Sequence, residues 1–321
     1  MTVAPDLLAQ LRCPGCGRML AGAAPGLQCE GCGRLYDVVN GIPRFVPAEN
    51  YASNFGFQWN RFRRTQLDSH SGLPISRDRF LRETGWTAER LRGARVLDVG
   101  CGAGRFAEIA LSLGAQVTAV DYSTAVDACR ANLPDARLHV VQADVYALPF
   151  APGTFDFVYS LGVIQHTPDV KETVGALARA LKPGGEIVVD VYRKHVLGLL
   201  HPRIWLRPIS TRMDAGRLFS IVERVSPAML KVSNAVGVLP IVGRRLQRLV
   251  PVANYAGILP LSSVQLEEWA ILDTYDWLAP KYDQPQTAET LRQWCVEAGL
   301  SDVTVFKADH LTARGRKPAA A

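Results

Sequence analysis

The sequence predicts an α/β protein built on a mainly parallel sheet with helices on both faces. Three observations predict it. From Arg95 onward, short apolar runs alternate with helical segments, which is how a parallel sheet with helical crossovers reads. The first run ends in a glycine-rich turn, Asp98-Val99-Gly100-Cys101-Gly102-Ala103-Gly104, that opens a helix. The length of 321 residues and a hydrophobic content of 48% suffice for a full core and suggest roughly two domains.

The first element is a cysteine module. Cys13 and Cys16 form one C-x-x-C pair, and Cys29 and Cys32 form a second after twelve intervening residues. Two thiolate pairs on two tight knuckles make the donor set of a tetrahedral zinc site, with Gly15, Gly17, Gly31 and Gly33 supplying the turns. A redox C-x-x-C would not need the second matched pair. With Cys at all four positions no site stays open for water, so the zinc is expected to be structural and to stabilise this module alone. A segment of about forty-five residues buries too little core to do without it. Cys101, Cys129 and Cys295 sit on the glycine turn and in separate helices and are not expected to be ligands.

The core elements follow in order. RVLDVG reads as a buried strand, GRFAEIALSLG as an amphipathic helix, and QVTAVD as the second strand. STAVDACRANL opens the next helix, with Ser123 as N-cap. LHVVQAD, FDFVYSL and EIVVDVY supply three further strands; VKETVGALARALKPGG is the helix before the last, ended by Pro183-Gly184-Gly185. Glycines at a helix N-terminus let the backbone approach a ligand closely. Alone they are ambiguous, because Gly102 to Ala107 also fits the dinucleotide pattern G-x-G-x-x-A, and Asp121 at the end of the second strand suits a ribose in either case. Asp98 and Asp144 favour a cationic ligand, since a carboxylate just before the glycines repels a pyrophosphate and attracts a sulfonium amino acid.

The segments LDVGCGAGRF, VTAVDYS, ADVYALPF, FDFVYSLGVIQHTPD and LKPGGEIVV, in that order over Arg95 to Val189, resemble the class I S-adenosylmethionine-dependent methyltransferases, particularly the ubiquinone-type small-molecule branch. That resemblance implies a Rossmann-like seven-stranded sheet of order 3-2-1-4-5-7-6, closed by the helix TAETLRQWCVEAGL and the antiparallel strands DVTVFKA and LTARGRK. It also implies that Gly100, Gly102 and Gly104 lie against the methionine portion of S-adenosylmethionine. Asp121 would hold the ribose, Asp144 and the Val145 backbone would read the adenine, Tyr122 would pack on it, and Leu161 would line the site. Residues 11 to 47, CPGCGRML…LQCEGCGRLYDVVNGIPRFV, resemble the small zinc-ribbon activator subunits of methyltransferases, here fused in cis.

The expected organisation is a zinc ribbon over 1–48, a helical lid over 49–92, the cofactor core over 93–192, a mainly helical cap over 193–287 and a closing unit over 288–321. Within the lid, Phe55, Phe57 and Phe62 read as core packing and Trp59 as the residue reaching the cofactor. In the cap, HVLGLLHPRIWLRPI and VGVLPIVGRRLQRLVPV mix apolar runs with Arg, so they suit a greasy acceptor pocket, a private core or a membrane surface; their prolines are expected to interrupt long helices. Tyr275, Trp277 and Tyr282 are rim candidates. Methyl transfer to a hydroxyl needs a base, and His166 follows the fourth strand where donor and acceptor should meet; Tyr192 is the alternative.

The net charge of +6 gives a weak footprint for nucleic acid, so the expected partner is a small-molecule, lipid or sugar-containing acceptor rather than RNA. A ribosomal or transfer RNA methyltransferase and a non-catalytic cofactor-binding scaffold are the alternatives. No signal-like N-terminus or membrane-length apolar run is present, which makes the cytoplasm the expected compartment.

Overall fold

The computed structural model describes residues 3–47, 50–194 and 201–319; the first six residues of HVLGLLHPRIWLRPI lie outside them. Eleven strands form one sheet. They are β1 (Leu20–Ala23), β2 (Gly26–Cys29), β3 (Leu35–Val39), β4 (Ile42–Arg44), β5 (Arg95–Val99), β6 (Gln116–Asp121), β7 (Leu138–Gln142), β8 (Phe155–Ser160), β9 (Leu181–Val191), β10 (Ser301–Lys307) and β11 (Leu311–Arg316). Their order is β1-β2-β3-β4-β7-β6-β5-β8-β9-β11-β10. The expected sheet of seven strands is therefore too narrow. Counted from β5 as the first, the stretch from β7 to β10 reads 3-2-1-4-5-7-6, and the four N-terminal strands extend it beyond β7. β4 joins β7 in parallel at Arg44↔Gln142, and Arg44 donates to Gln142 Oε1 at 2.9 Å and to Asp127 at 2.6 Å.

The central strands are buried on both faces, as parallel strands under crossover helices must be. Alternation sorts their side chains. Leu97, Val99, Val120 and Val141 pack on one face with Val170, Val174 and Leu177, and Val96, Val117, Ala119 and Val140 pack on the other with Phe106, Ile109 and Phe80. The first core also takes in Leu7, Leu11, Leu20, Leu27 and Tyr36. The cysteine module is thus packed into the main core instead of standing as a separate knot.

Local chemistry explains several element ends. The helix Arg105–Ser112 starts at Gly104, whose φ is +94°, a conformation in which a Cβ would be strained. The helix Val170–Ala180 starts where the Asp169 side chain accepts from Glu172 N at 2.9 Å. Ser123 stands one position before the cap residue, Thr124, of the helix Ala125–Asn132 and accepts from Ala125 N at 3.2 Å. Pro183-Gly184-Gly185 does not end a helix; it lies inside β9, where pairing with β8 slips between Phe155 and Phe157.

The cap is helical among its described residues: Pro202–Ser210, Ala215–Gly237, Gly243–Leu246 and Ser263–Leu278. Pro227 does not interrupt the helix Ala215–Gly237, which runs on through it. Tertiary packing outweighs the lost backbone donor there. Leu218, Phe219 and Val222 bury against Leu272, Tyr275 and Leu278, with Phe62, the residue that caps the lid helix Ser53–Arg61, joining them. No described helix is long and apolar enough to cross a membrane.

Candidate functional site

The C-terminal ends of β5, β6 and β8 open into a cavity of about 720 Å³, roofed by the lid helix and the cap. An open parallel sheet places ligands at this edge, outside the strand ends where the order reverses. Gly100, Gly102, Asp121, Tyr122, Val145, Leu161, Trp59 and His166, from several elements, all line it.

The turn is shaped for close approach. Gly100 has φ +81°, and a Cβ there would lie 2.4 Å from Val163 side-chain carbons; Gly102 has φ +52°, and its Cβ would lie 3.3 Å from the Trp59 indole. Trp59 is therefore laid directly against the turn. Gly104 does a different job: a Cβ there would lie 2.7 Å from Leu133, so this glycine permits packing under the turn and does not line the cavity.

Asp121, only 9% exposed, ties the turn to β6. Its Oδ2 accepts from Gly102 N at 2.9 Å, and its Oδ1 accepts from Ser123 N at 2.8 Å and Ser123 Oγ at 2.7 Å. Burial raises its carboxyl and these bonds pull it back, for a net upward shift. Beside it Tyr122 stacks on Tyr51, with ring centroids 4.8 Å apart.

Two carboxylates expected at the ligand stand outside the cavity wall. Alternation along β5 turns Asp98 to the face opposite Leu97 and Val99, where it is buried near Tyr159; burial pushes its carboxyl up to about 8. Asp144 caps the short turn Val145–Ala147, accepting from Tyr146 N at 2.9 Å, and presents Val145 to the cavity.

His166 ends the short turn Ile164–His166 and is 6% exposed. Its Nδ1 lies 2.9 Å from the Tyr282 carbonyl oxygen, an acceptor, so Nδ1 carries the proton and donates. In the neutral ring Nε2 is then the lone-pair nitrogen, and it is buried with no hydrogen-bond partner among the described residues. Phe55 and Tyr192 enclose the ring at centroid distances of 5.3 and 5.5 Å.

The cap side carries groups that no local motif announces. Asp276 receives Gln58 Nε2 at 3.2 Å and Tyr192 Oη at 3.5 Å, and burial raises its carboxyl. Asp273 accepts from Tyr255 Oη, and burial pushes it up to about 7. Among the described residues Arg105 donates to neutral partners, Ser76 Oγ and Gln66 Oε1, both at 2.9 Å; burial and then Arg79 bring it down to about 10. Asp273 and Asp276 are three apart on one helix, a spacing that puts both on one face, and Arg105 follows the last glycine of the turn. Of the rim candidates, Trp277 lines the cavity, Tyr282 supplies its carbonyl to His166, and Tyr275 is fully buried in the cap core.

At the other end of the chain, the sulfurs of Cys13, Cys16, Cys29 and Cys32 all lie within 4.8 Å of one another. The pairs Cys13–Cys32 and Cys16–Cys29 are 3.7 and 3.3 Å apart, close to the edge of about 3.8 Å that zinc–sulfur bonds of about 2.3 Å set in a tetrahedron. Gly31 N and Cys32 N both point at Cys29 Sγ at 3.4 Å, and Tyr36 Oη lies 3.1 Å from Cys13 Sγ. The other three cysteines are buried elsewhere.

Residues 97–189 match the family model described as a methyltransferase domain. The ubiquinone biosynthesis O-methyltransferase of Idiomarina loihiensis is 39% identical over 116 residues, which cover 33% of this chain and 45% of that protein. The malonyl-[acyl-carrier protein] O-methyltransferase of Pseudescherichia vulneris is 34% identical over 163 residues, 50% of this chain and 62% of that one. The chain spans about half the length of the curated relatives it matches. Among solved structures, an S-adenosylmethionine-dependent methyltransferase from Mesorhizobium loti is 19% identical with a TM-score of 0.44, covering 78% of this chain and 100% of that chain. From Leu97 to Val189, then, the chain matches a methyltransferase domain.

Proposed function

We propose that the cavity binds S-adenosylmethionine and that the chain methylates an oxygen of a small-molecule or glycoconjugate acceptor, with His166 as general base. The observation that carries this reading is the His166 ring: one nitrogen is committed to the Tyr282 carbonyl, and the other is a buried, unpartnered lone pair in a residue that lines the cavity at the end of β8. An acceptor hydroxyl placed there can pass its proton to Nε2 as the oxygen attacks. When bound, the cofactor supplies a methyl carbon already activated by its sulfonium.

The residues fit that group. The bare glycine turn accepts a close ligand, and Asp121 stands at the turn as a carboxylate for ribose hydroxyls. Tyr122, Tyr51 and Val145 offer an apolar seat for a purine, and Trp59 closes over the turn. Asp144 acts in this reading from behind, by holding the turn that presents Val145, and Asp98 stays buried beside Tyr159. An oxygen acceptor is the better choice because the curated relatives described above are named O-methyltransferases. The four N-terminal cysteines are assigned a structural zinc.

The experiment is calorimetric titration with S-adenosylmethionine and with NAD, followed by a screen of hydroxylated acceptors using methyl-labelled cofactor. Saturable binding of the first and none of the second supports the reading, and binding without any label transfer to oxygen would favour the scaffold alternative.

A further inference from the structure

The cap carries a surface that the cavity does not use. Across residues 201–262 nine Arg and Lys face two acidic residues, a net charge of +7 in a chain whose total is +6. The same segment holds thirteen of the nineteen exposed large apolar side chains among the described residues. Both features culminate where the helix Ala215–Gly237 ends. There Val238, Leu239, Ile241, Val242, Leu246 and Leu249 are exposed, Val238 by 81% and Ile241 by 98%. Ile241 stands at φ +68°, a left-handed conformation that a β-branched residue rarely adopts, at the head of the turn. Arg244, Arg245 and Arg248 flank it, exposed and without an ion pair among the described residues.

We propose that this tip, residues 238–249, is a docking element that seats on an anionic lipid surface. Bulky apolar side chains at a protruding turn enter the headgroup–acyl boundary, while arginines beside them meet lipid phosphates; each half of the pattern needs the other. The charge decides against the other occupants. A second copy would bring a like-charged tip to this one, and a nucleic acid would leave the apolar crest in water. The cap segment also continues into the cavity, for Ile258 is 72% exposed and still lines it together with Leu259. A greasy acceptor could then pass from the bilayer into the site, a corollary that rests on the methyl-transfer reading. The docking itself does not.

The test is co-sedimentation of the full chain with vesicles of phosphatidylcholine alone or with about a third phosphatidylglycerol. The wild type pellets with the anionic vesicles, weakly with the neutral ones, and is released as salt rises. The triple variant Arg244→Glu, Arg245→Glu, Arg248→Glu loses roughly 10²-fold or more in partitioning, and Ile241→Asp loses a measurable share at unchanged net basic charge elsewhere. Both variants keep the wild-type melting temperature and S-adenosylmethionine affinity, which separates lost docking from lost folding or a mistaken cofactor site. Equal pelleting of wild type and variants, or none by the wild type, overturns the proposal. So does salt-sensitive binding of RNA that the arginine variant abolishes and Ile241→Asp leaves untouched.

Discussion

Replacing Asp121 tests the centre of the site, and its outcome can be worked from the hydrogen bonds. The carboxylate is nearly buried and accepts from Gly102 N, Ser123 N and Ser123 Oγ. Asp121→Ala leaves these donors facing an apolar methyl, and each buried unsatisfied group costs about 1–3 kcal/mol, so Ala damages the fold as well as the ligand contact. Asp121→Asn is the cleaner probe. Its oxygen can keep both Ser123 bonds, and only the Gly102 N–H meets an amide donor, a loss of about 1–3 kcal/mol that lowers the melting temperature by several degrees. The proposed ribose bonds lose their charge assistance, which is worth on the order of 1.5–3 kcal/mol, or roughly 10- to 150-fold in Kd. Calorimetric titration with S-adenosylmethionine, beside a thermal melt of each variant, separates the two effects. If Asp121→Asn melts lower but binds cofactor within about twofold of wild type, the carboxylate only holds the turn and the ribose has been placed wrongly.

Purified protein should contain one zinc per chain, and its removal should lower the melting of the main core as well, because Leu11, Leu27 and Tyr36 belong to that core; a metal-free, fully stable preparation is the contrary result. His166→Asn should cut turnover by roughly 10²–10⁴ with cofactor affinity nearly normal, whereas a variant with near-wild-type rate and the same acidic limb in its pH–rate profile removes His166 from the chemistry. Burial pushes the Asp98 carboxyl up to about 8, so its contribution to stability is full below its unfolded pKa and is lost as pH rises through about 8. Asp98→Asn should therefore melt above wild type at pH 9 and differ little at pH 5; an unchanged pH dependence of melting would show that this carboxyl does not titrate in the window.

Much of the candidate site could be read from sequence because its residues sit at strand ends inside local patterns. Gly100, Gly102 and Asp121 are fixed by one turn and one strand terminus, and all three line the cavity. The four cysteines were equally readable, since spacing alone places sulfurs on two knuckles, and the sulfurs do converge. Asp98 shows the limit of that logic. Motif position suggested contact, but period-two alternation turns its side chain to the face opposite Leu97 and Val99, and it does not line the cavity. Tyr51, Asp273 and Asp276 had no signal of comparable strength, for they reach the cavity only when the lid and cap fold over it.

By itself the sequence determined the parallel core, the glycine turn, the cysteine quartet and the direction of the chain through β5 to β11, because each depends on periodicity, spacing or turn chemistry within a few residues. Tertiary structure alone decided that β1–β4 extend the sheet to eleven strands, since one edge strand must find β7 about a hundred residues away, and no local pattern encodes that pairing. It alone decided which nitrogen of His166 is free, because the carbonyl that takes the other proton belongs to Tyr282, brought there by the cap. And it alone exposed the crest at Val238 to Leu249: an apolar run reads the same in sequence whether it is buried or not, and only packing reveals that nothing within the described chain covers it.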